Sequence, residues 1–219
     1  KWKVVMIGGK ARKVGFGGGS ASSQTAGSNK EGLDDDATQR ADAETAIRDH
    51  RVIDACIACR RRNPIQSIHD QGAGGVLNSL IEIVEMMGGI IHGGKIRLGD
   101  KYLAFIVRVG AEFQERYALL VKPSGMRLFA SICKREKCSM EVLGEITCDG
   151  KFVVLNDIKD DVKKPINFKL TDVMADLPRK RFSDVTVKYG FKPLVLPRTA
   201  TVKSSLSRVL LNLAVASAE

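Results

Sequence analysis

A chain of 219 residues, 44% hydrophobic and 27% charged, holds enough apolar material for one sizeable core with a tail. No uncharged apolar run approaches the roughly 20 residues that cross a bilayer, and the N-terminus lacks the apolar core of a secretory leader, so the sequence reads as soluble and intracellular, with no membrane among its partners. The formal charge of +10 is uneven: residues 151–219 carry thirteen Lys/Arg against seven Asp/Glu, an excess that suits a solvated tail, an anionic ligand, nucleic acid or an acidic partner surface.

The sequence opens on Lys1-Trp2-Lys3 rather than Met and so reads as an excised, processed or partial chain. KWKVVMIG predicts a strand over 1–8, followed by GGKARKVGFGGGSASSQTAGSN, either a flexible linker or a ligand loop. Apolar residues at helical spacing from Ala43 through Ile57 predict a helix that ends at Arg60-Arg61-Arg62, before Asn63-Pro64. IQSIHD predicts a strand, GAGG a turn, and LNSLIEIVEMM a helix stopping at Gly88-Gly89.

Further on, YLAFIVRV and RYALLV read as strands and PSGMRLFASICKREK as a helix. MEVLGEIT with KFVVLND reads as a hairpin turning at Asp149-Gly150. Beyond about residue 157 a Lys/Asp/Pro-rich connector leads to VKSSLSRVLLNLAVA, an amphipathic helix assigned to a neighbouring unit. The class is α+β, with a main domain over 1–160, a connector over 161–200 and the start of a further subdomain over 201–219. Five cysteines, an odd number, argue for reduced thiols rather than a disulfide framework, and the Cys56/Cys59 and Cys133/Cys138 pairs suit packing better than zinc.

Three constellations carry candidate chemistry. In Gly15–Ser23 (GFGGGSASS), Gly17, Gly18 and Gly19 allow close backbone approach to phosphate oxygens, although the stretch lacks the ending of a P-loop and reads equally as a linker. Asp70 closes a predicted strand immediately before Gly72, Gly74 and Gly75, which open a helix. A helix N-terminus favours an anion and an adjacent Asp can ligate the magnesium that accompanies phosphates, while a turn-capping Asp explains the same residues. His69 reads as a hydrogen-bonded structural residue. Finally, Gly110–Tyr117 (GAEFQERY) gathers carboxylates, an amide and a guanidinium, a set that binds hydroxyls or phosphates or forms a surface ion-pair ladder.

Taken in order, GFGGGSASS, LDDDATQR, RVIDAC, NPIQSIHDQGAGG, LGD, GAEFQERYALLV and DLPRKRF resemble the formylglycinamide ribonucleotide amidotransferase family over roughly residues 8–182. The resemblance is to the first B-type subdomain of its synthetase region, related to the C-terminal domain of aminoimidazole ribonucleotide synthetase. It implies a three-layer α/β/α unit with partial ferredoxin-like topology, plus the C-terminal connector and helix. The implied reaction is a carbon-nitrogen ligation in purine biosynthesis: ATP, as substrate, activates the formylglycinamide carbonyl oxygen, and ammonia from glutamine displaces phosphate to give formylglycinamidine ribonucleotide. By the same resemblance Asp70 is a Mg2+ ligand, and Gln39, Glu112, Phe113 and Gln114 bind formylglycinamide ribonucleotide.

The resemblance also implies that the partners are the remaining subdomains of the same enzyme, which supply the catalytic histidine, the ATP-binding residues and the glutaminase. No residue of this chain is therefore assigned a catalytic role, and the isolated chain is expected to be inactive. The pathway points to the cytoplasm, with organelle import after removal of a targeting peptide left open. Two departures stand out: Ile106-Val107-Arg108-Val109 replaces a leucine-glutamate-isoleucine-tryptophan run, and Asp35 replaces an aromatic. They motivate a second reading, a repurposed module with a structural or RNA-associated role that would use Arg179-Lys180-Arg181, although nucleic acid is not favoured because PRK belongs to the resemblance.

Overall fold

The structure is a computed structural model and describes residues 1–12, 24–25, 27–30, 42–72, 74–85, 87–112, 115–157, 163–174, 183, 185–186 and 190–212. Seven strands are present among these: β1 (Lys3–Gly8), β2 (Ile65–Asp70), β3 (Gly89–His92), β4 (Arg116–Val121), β5 (Met140–Ile146), β6 (Lys151–Asn156) and β7 (Lys163–Lys169). Helices α1 (Ala43–Ala58), α2 (Gly75–Ile83), α3 (Phe105–Gly110), α4 (Met126–Arg135) and α5 (Val202–Leu210) accompany them. The strands form one sheet in the order β2-β4-β1-β5-β3-β6-β7, with only β3 and β6 parallel neighbours.

Because β1 and β2 both run antiparallel to β4, they are parallel to each other, and α1 is the crossover between them. The same reasoning makes α4 the crossover between β4 and β5. These two β-α-β units interleave as β5-β1-β4-β2, a ferredoxin-like core, and the insertion α2-β3-α3 separates them in sequence.

Strand alternation divides the core into two layers. Val5, Ile7, Leu119 and Val121 face α1 and α4, where Val52, Cys56, Phe129, Ile132, Cys133 and Cys138 complete a cluster. Val4, Met6, Ala118 and Leu120 point the other way, toward Val76 and Leu80 of α2 and Val109 of α3. The architecture is therefore α+β in three layers, as expected. The thiols Cys56, Cys133 and Cys138 are core residues, and burial pushes that of Cys56 up to about 12.

Three expectations are corrected. YLAFIVRV is not a strand: Phe105–Gly110 is helical, because a short run of apolar β-branched residues does not distinguish the two forms by periodicity. Its Arg108 is buried, with Nη2 donating to Leu103 O at 3.3 Å. MEVLGEI and KFVVLN are not hairpin partners, since β3 lies between them. The 147–150 turn spans the gap by bonding the chain entering β3, with Thr147 N on Gly88 O at 3.0 Å and Gly150 N on Met87 O at 3.3 Å. Gly144 lets β3 approach, because a Cβ there would meet Ile90 O at 1.9 Å. Lastly, the domain does not end at 160. β7 adds to the sheet beside β6 inside the expected connector, and the compact unit runs Lys1–Asp176. Pro165 and three lysines keep this edge strand unattractive for further pairing. The C-terminal unit, Leu177–Glu219, holds α5, which is opened by a Thr201/Ser204 capping box.

Candidate functional site

β1 and β2 finish, and β4 begins, at one end of the sheet, so Gly8, Asp70 and Arg116 are brought to a common edge. Asp70 pairs in register with Tyr117, and its side chain is 79% exposed. The chain then turns through Gln71, whose N–H donates to Arg116 O at 3.0 Å, and enters α2. Gly72 and Gly74 are exposed in this turn, and Gly74 occupies the N-cap in a left-handed conformation, with no side chain capping the helix. Gly75 is buried at φ +65, where a Cβ would stand 2.5 Å from Ala111 O. That close approach seats the start of α2 directly on the Gly110-Ala111 backbone, and Glu112, next in sequence, is buried. Thus the glycine turn and the GAE segment, which lie 35 or more residues apart in sequence, meet at one site.

His69 straps this corner together. Its Nδ1 lies 2.8 Å from Asp70 O and its Nε2 2.8 Å from Glu82 Oε2 on α2, so both ring nitrogens face protein oxygens, in keeping with a structural residue. Sequence reasoning did not find the carboxylate behind it. Asp49 of α1 is 1% exposed, accepts from the Cys138 thiol at 3.1 Å, and leaves Oδ2 without a hydrogen-bond partner among the described residues. Burial, reinforced by Glu115, pushes its pKa up to about 6. Tyr117 is likewise held above the ordinary phenol range, first by burial and then by Asp49, Glu115 and Asp70. Its hydroxyl lies 3.3 Å from His50 Nε2. Asp49 stands in a regular helical pattern, where no spacing distinguishes a buried carboxylate from an exposed one.

The chain leaving β1 is also anchored here. Gly9 N donates to Glu115 O at 3.0 Å, Ala11 N to Arg97 O at 2.8 Å, and Gly99 N to Ala11 O at 2.6 Å, so the LGD stretch borders the path into the glycine-rich segment. Gly17, Gly18, Gly19, Gln39, Phe113 and Gln114 lie outside the described residues, as does Arg179-Lys180-Arg181. Val107, at the departure from the family pattern, is half-buried and packs against the larger core cluster. Among the described residues no group of three His, Cys, Asp or Glu side chains converges to hold a metal ion, and no helix is long and apolar enough to cross a membrane.

A ferredoxin-like core interrupted by a helix-strand-helix insertion, with a carboxylate and a glycine turn at one sheet edge, defines an α+β domain. The chain belongs to the family described as AIR synthase related protein, C-terminal domain, whose profile matches residues 3–156. It is 39% identical over 216 residues to the probable phosphoribosylformylglycinamidine synthase, chloroplastic/mitochondrial, of Arabidopsis thaliana, covering 94% of this chain and 15% of that protein. It is 37% identical over 229 residues to phosphoribosylformylglycinamidine synthase of Homo sapiens, covering 98% and 17%. Among solved structures, T. maritima PurL complexed with FGAR matches with a TM-score of 0.65 at 21% identity, over 92% of this chain and 31% of that one, a likeness of fold. The chain therefore spans about one sixth of the curated relatives' length.

Proposed function

We propose that this chain is a B-type subdomain of a phosphoribosylformylglycinamidine synthase, an ATP-dependent ligase of purine biosynthesis that amidates formylglycinamide ribonucleotide with ammonia drawn from glutamine. The observation that carries the reading is the meeting of the turn after Asp70 with the Gly110-Ala111 backbone of the GAE segment at one sheet edge. The named relatives support it over nearly the whole chain, and T. maritima PurL in complex with ATP has the same fold, with a TM-score of 0.60.

In this reading the uncapped N-terminus of α2 and its glycine turn hold phosphate oxygens through backbone N–H groups. Glu112, with Phe113, Gln114 and Gln39, orients the ribonucleotide, and Gly17, Gly18 and Gly19 close over phosphate. Asp70 suits magnesium, because its exposed carboxylate offers hard oxygen donors, and magnesium is commonly held by one carboxylate plus substrate phosphates. Bound there, the ion would neutralise charge on the phosphates during transfer. The buried position of Gly75 and Ala111 keeps water from beneath the phosphate site. The histidine, the ATP-binding residues and the glutaminase come from other subdomains, and the compartment is the cytoplasm or an organelle. No feature of the described residues favours an RNA-associated role.

The test is conversion of formylglycinamide ribonucleotide by the native full-length protein with ATP and ammonia, beside Asp70→Asn. With so exposed a side chain the variant should melt with the wild type, yet lose turnover by about a hundredfold or more. Unchanged turnover in Asp70→Asn removes the metal role, and a folded wild-type protein without turnover removes the synthetase reading.

A further inference from the structure

We propose that Arg116 and Glu141 form a positioning pair that keeps the segments of the phosphate-binding edge in register, an inference that rests on the function proposed above. The Arg116 side chain is fully covered, that of Glu141 is 6% exposed, and Nη2 of the arginine donates to Oε2 of the glutamate at 2.8 Å. The same Oε2 accepts from Arg97 N at 3.0 Å. One carboxylate oxygen thereby ties the LGD stretch to β4 and β5.

The turn after Asp70 and the exit from β1 are attached to Arg116 or its immediate neighbour. Arg116 O accepts from Gln71 N, fixing the turn after Asp70, while Glu115 O accepts from Gly9 N, fixing the exit from β1. Arg116 stands opposite Gly8 in the ladder and lies two residues after the end of the GAEFQ stretch in sequence. Arg97 O accepts from Ala11 N, and Ala11 O from Gly99 N, so the hold on Arg97 is passed to the chain entering the glycine-rich segment.

An ion pair in this position is not an economical way to gain stability, because desolvation of two charges offsets most of their attraction. What it supplies is direction. A guanidinium and a carboxylate bond only in certain geometries, whereas two apolar side chains would fill the volume and leave the backbone segments free to slide. The pair touches no substrate in this account and acts through the backbone it orients.

The experiment uses the full-length protein with Glu141→Gln and the double variant Arg116→Met/Glu141→Leu, the latter replacing both charges so that neither is stranded. The double variant should melt close to the wild type, but raise KM for formylglycinamide ribonucleotide about ten- to hundredfold, with kcat changed far less. Glu141→Gln keeps an oxygen acceptor for Arg97 N and for the guanidinium but removes the counter-charge, so it should melt well below the wild type while the folded protein keeps most of the affinity. Amide exchange at Gly9, Ala11, Gln71 and Gly99, read without substrate, should accelerate in the double variant. A double variant with wild-type melting and wild-type protection at these amides overturns the pair whatever the turnover, as does an unchanged KM. A wild-type protein without turnover overturns only the synthetase reading, since the exchange result still decides the pair.

Discussion

Helices α1 and α2 both follow strands that finish at the same end of the sheet, yet they begin in opposite ways. At α1, Asp42 caps the first turn, its carboxylate accepting from Thr45 N at 3.1 Å and from Thr45 Oγ1 at 2.9 Å. At α2 the cap is Gly74 in a left-handed conformation, Gly75 N donates to Gly72 O at 3.0 Å, and no side chain among the described residues caps the first turn. A helix start satisfied by its own side chain contributes stability and offers little to a ligand, while one left uncapped keeps its donors and its partial positive charge available. The two helices thus divide the work of the domain: α1 is a crossover that closes one core layer, and α2 is aimed at the candidate site.

The largest expected effect breaks the α2 side of this comparison. Gly75→Ala places a side chain at φ +65 and drives its Cβ to 2.5 Å from Ala111 O and 2.8 Å from Gly110 C. Left-handed backbone costs about 1–2 kcal/mol for an L-residue, and forcing apart a packed contact about 1–3 kcal/mol, so unfolding measured in urea should show a loss of roughly 2–5 kcal/mol. Because the backbone displaced is that of the GAE segment, turnover of the full-length protein should fall with it. Gly74→Ala is the control. At φ +81 it carries the same left-handed cost, but its Cβ meets only the Asn78 side chain, at 2.9 Å, on an exposed face, so the difference between the two variants isolates the contact with the GAE segment.

Which parts of this site were legible in the sequence follows from how local their signals are. Asp70 and the glycines were visible because a strand pattern, a glycine cluster and a helix pattern follow one another within a few residues. The helix over Ala43–Ala58 was visible through its apolar spacing, and the position of Asp49 within it was not, since the partner that buries it, Cys138, lies 89 residues away. The same limit explains the misread hairpin: β5 and β6 are consecutive, and only β3, from the insertion between the two β-α-β units, separates them. For α3, a run of Phe, Ile and Val carries strand propensity, but packing on α2 through the Gly75 contact sets the conformation. The three-layer class and the roles assigned to the site motifs came from resemblance, which reads many separated positions at once.

Asp49 sharpens the comparison from inside α1, since it is the one place where that helix gives up stability toward the site edge. Its folded-state pKa, about 6, lies above the ordinary 3.8, so the neutral form is favoured by folding. The associated stability is fully present below pH 3.8 and is lost as pH rises through 6. Asp49→Asn keeps an acceptor for the Cys138 thiol without the charge, and should therefore stabilise the protein at pH 7 by up to about 3 kcal/mol, from roughly two pKa units at 1.36 kcal/mol each. The gain should close as pH falls from 6 toward 4 in chemical denaturation at a series of pH values. A gain that persists unchanged at pH 4 would mean that packing, not ionisation, sets the cost of this carboxylate.

The smallest effect tests the α1 side. Removing the cap in Asp42→Ala should cost about 1 kcal/mol, or a melting temperature lower by about 2–4 °C for a chain of this size. The bonds from Thr45 hold the Asp42 carboxyl below its ordinary 3.8, so its contribution is present above that value and lost as pH falls through the lowered one. The difference between variant and wild type should accordingly vanish in strong acid and leave substrate affinity untouched at neutral pH. That outcome separates the two helix starts by kind, because the corresponding change at Gly75 of α2 is expected to move turnover as well as stability. If Asp42→Ala impaired turnover while leaving melting unchanged, the start of α1 would belong to the site and the division of labour between the helices would fail.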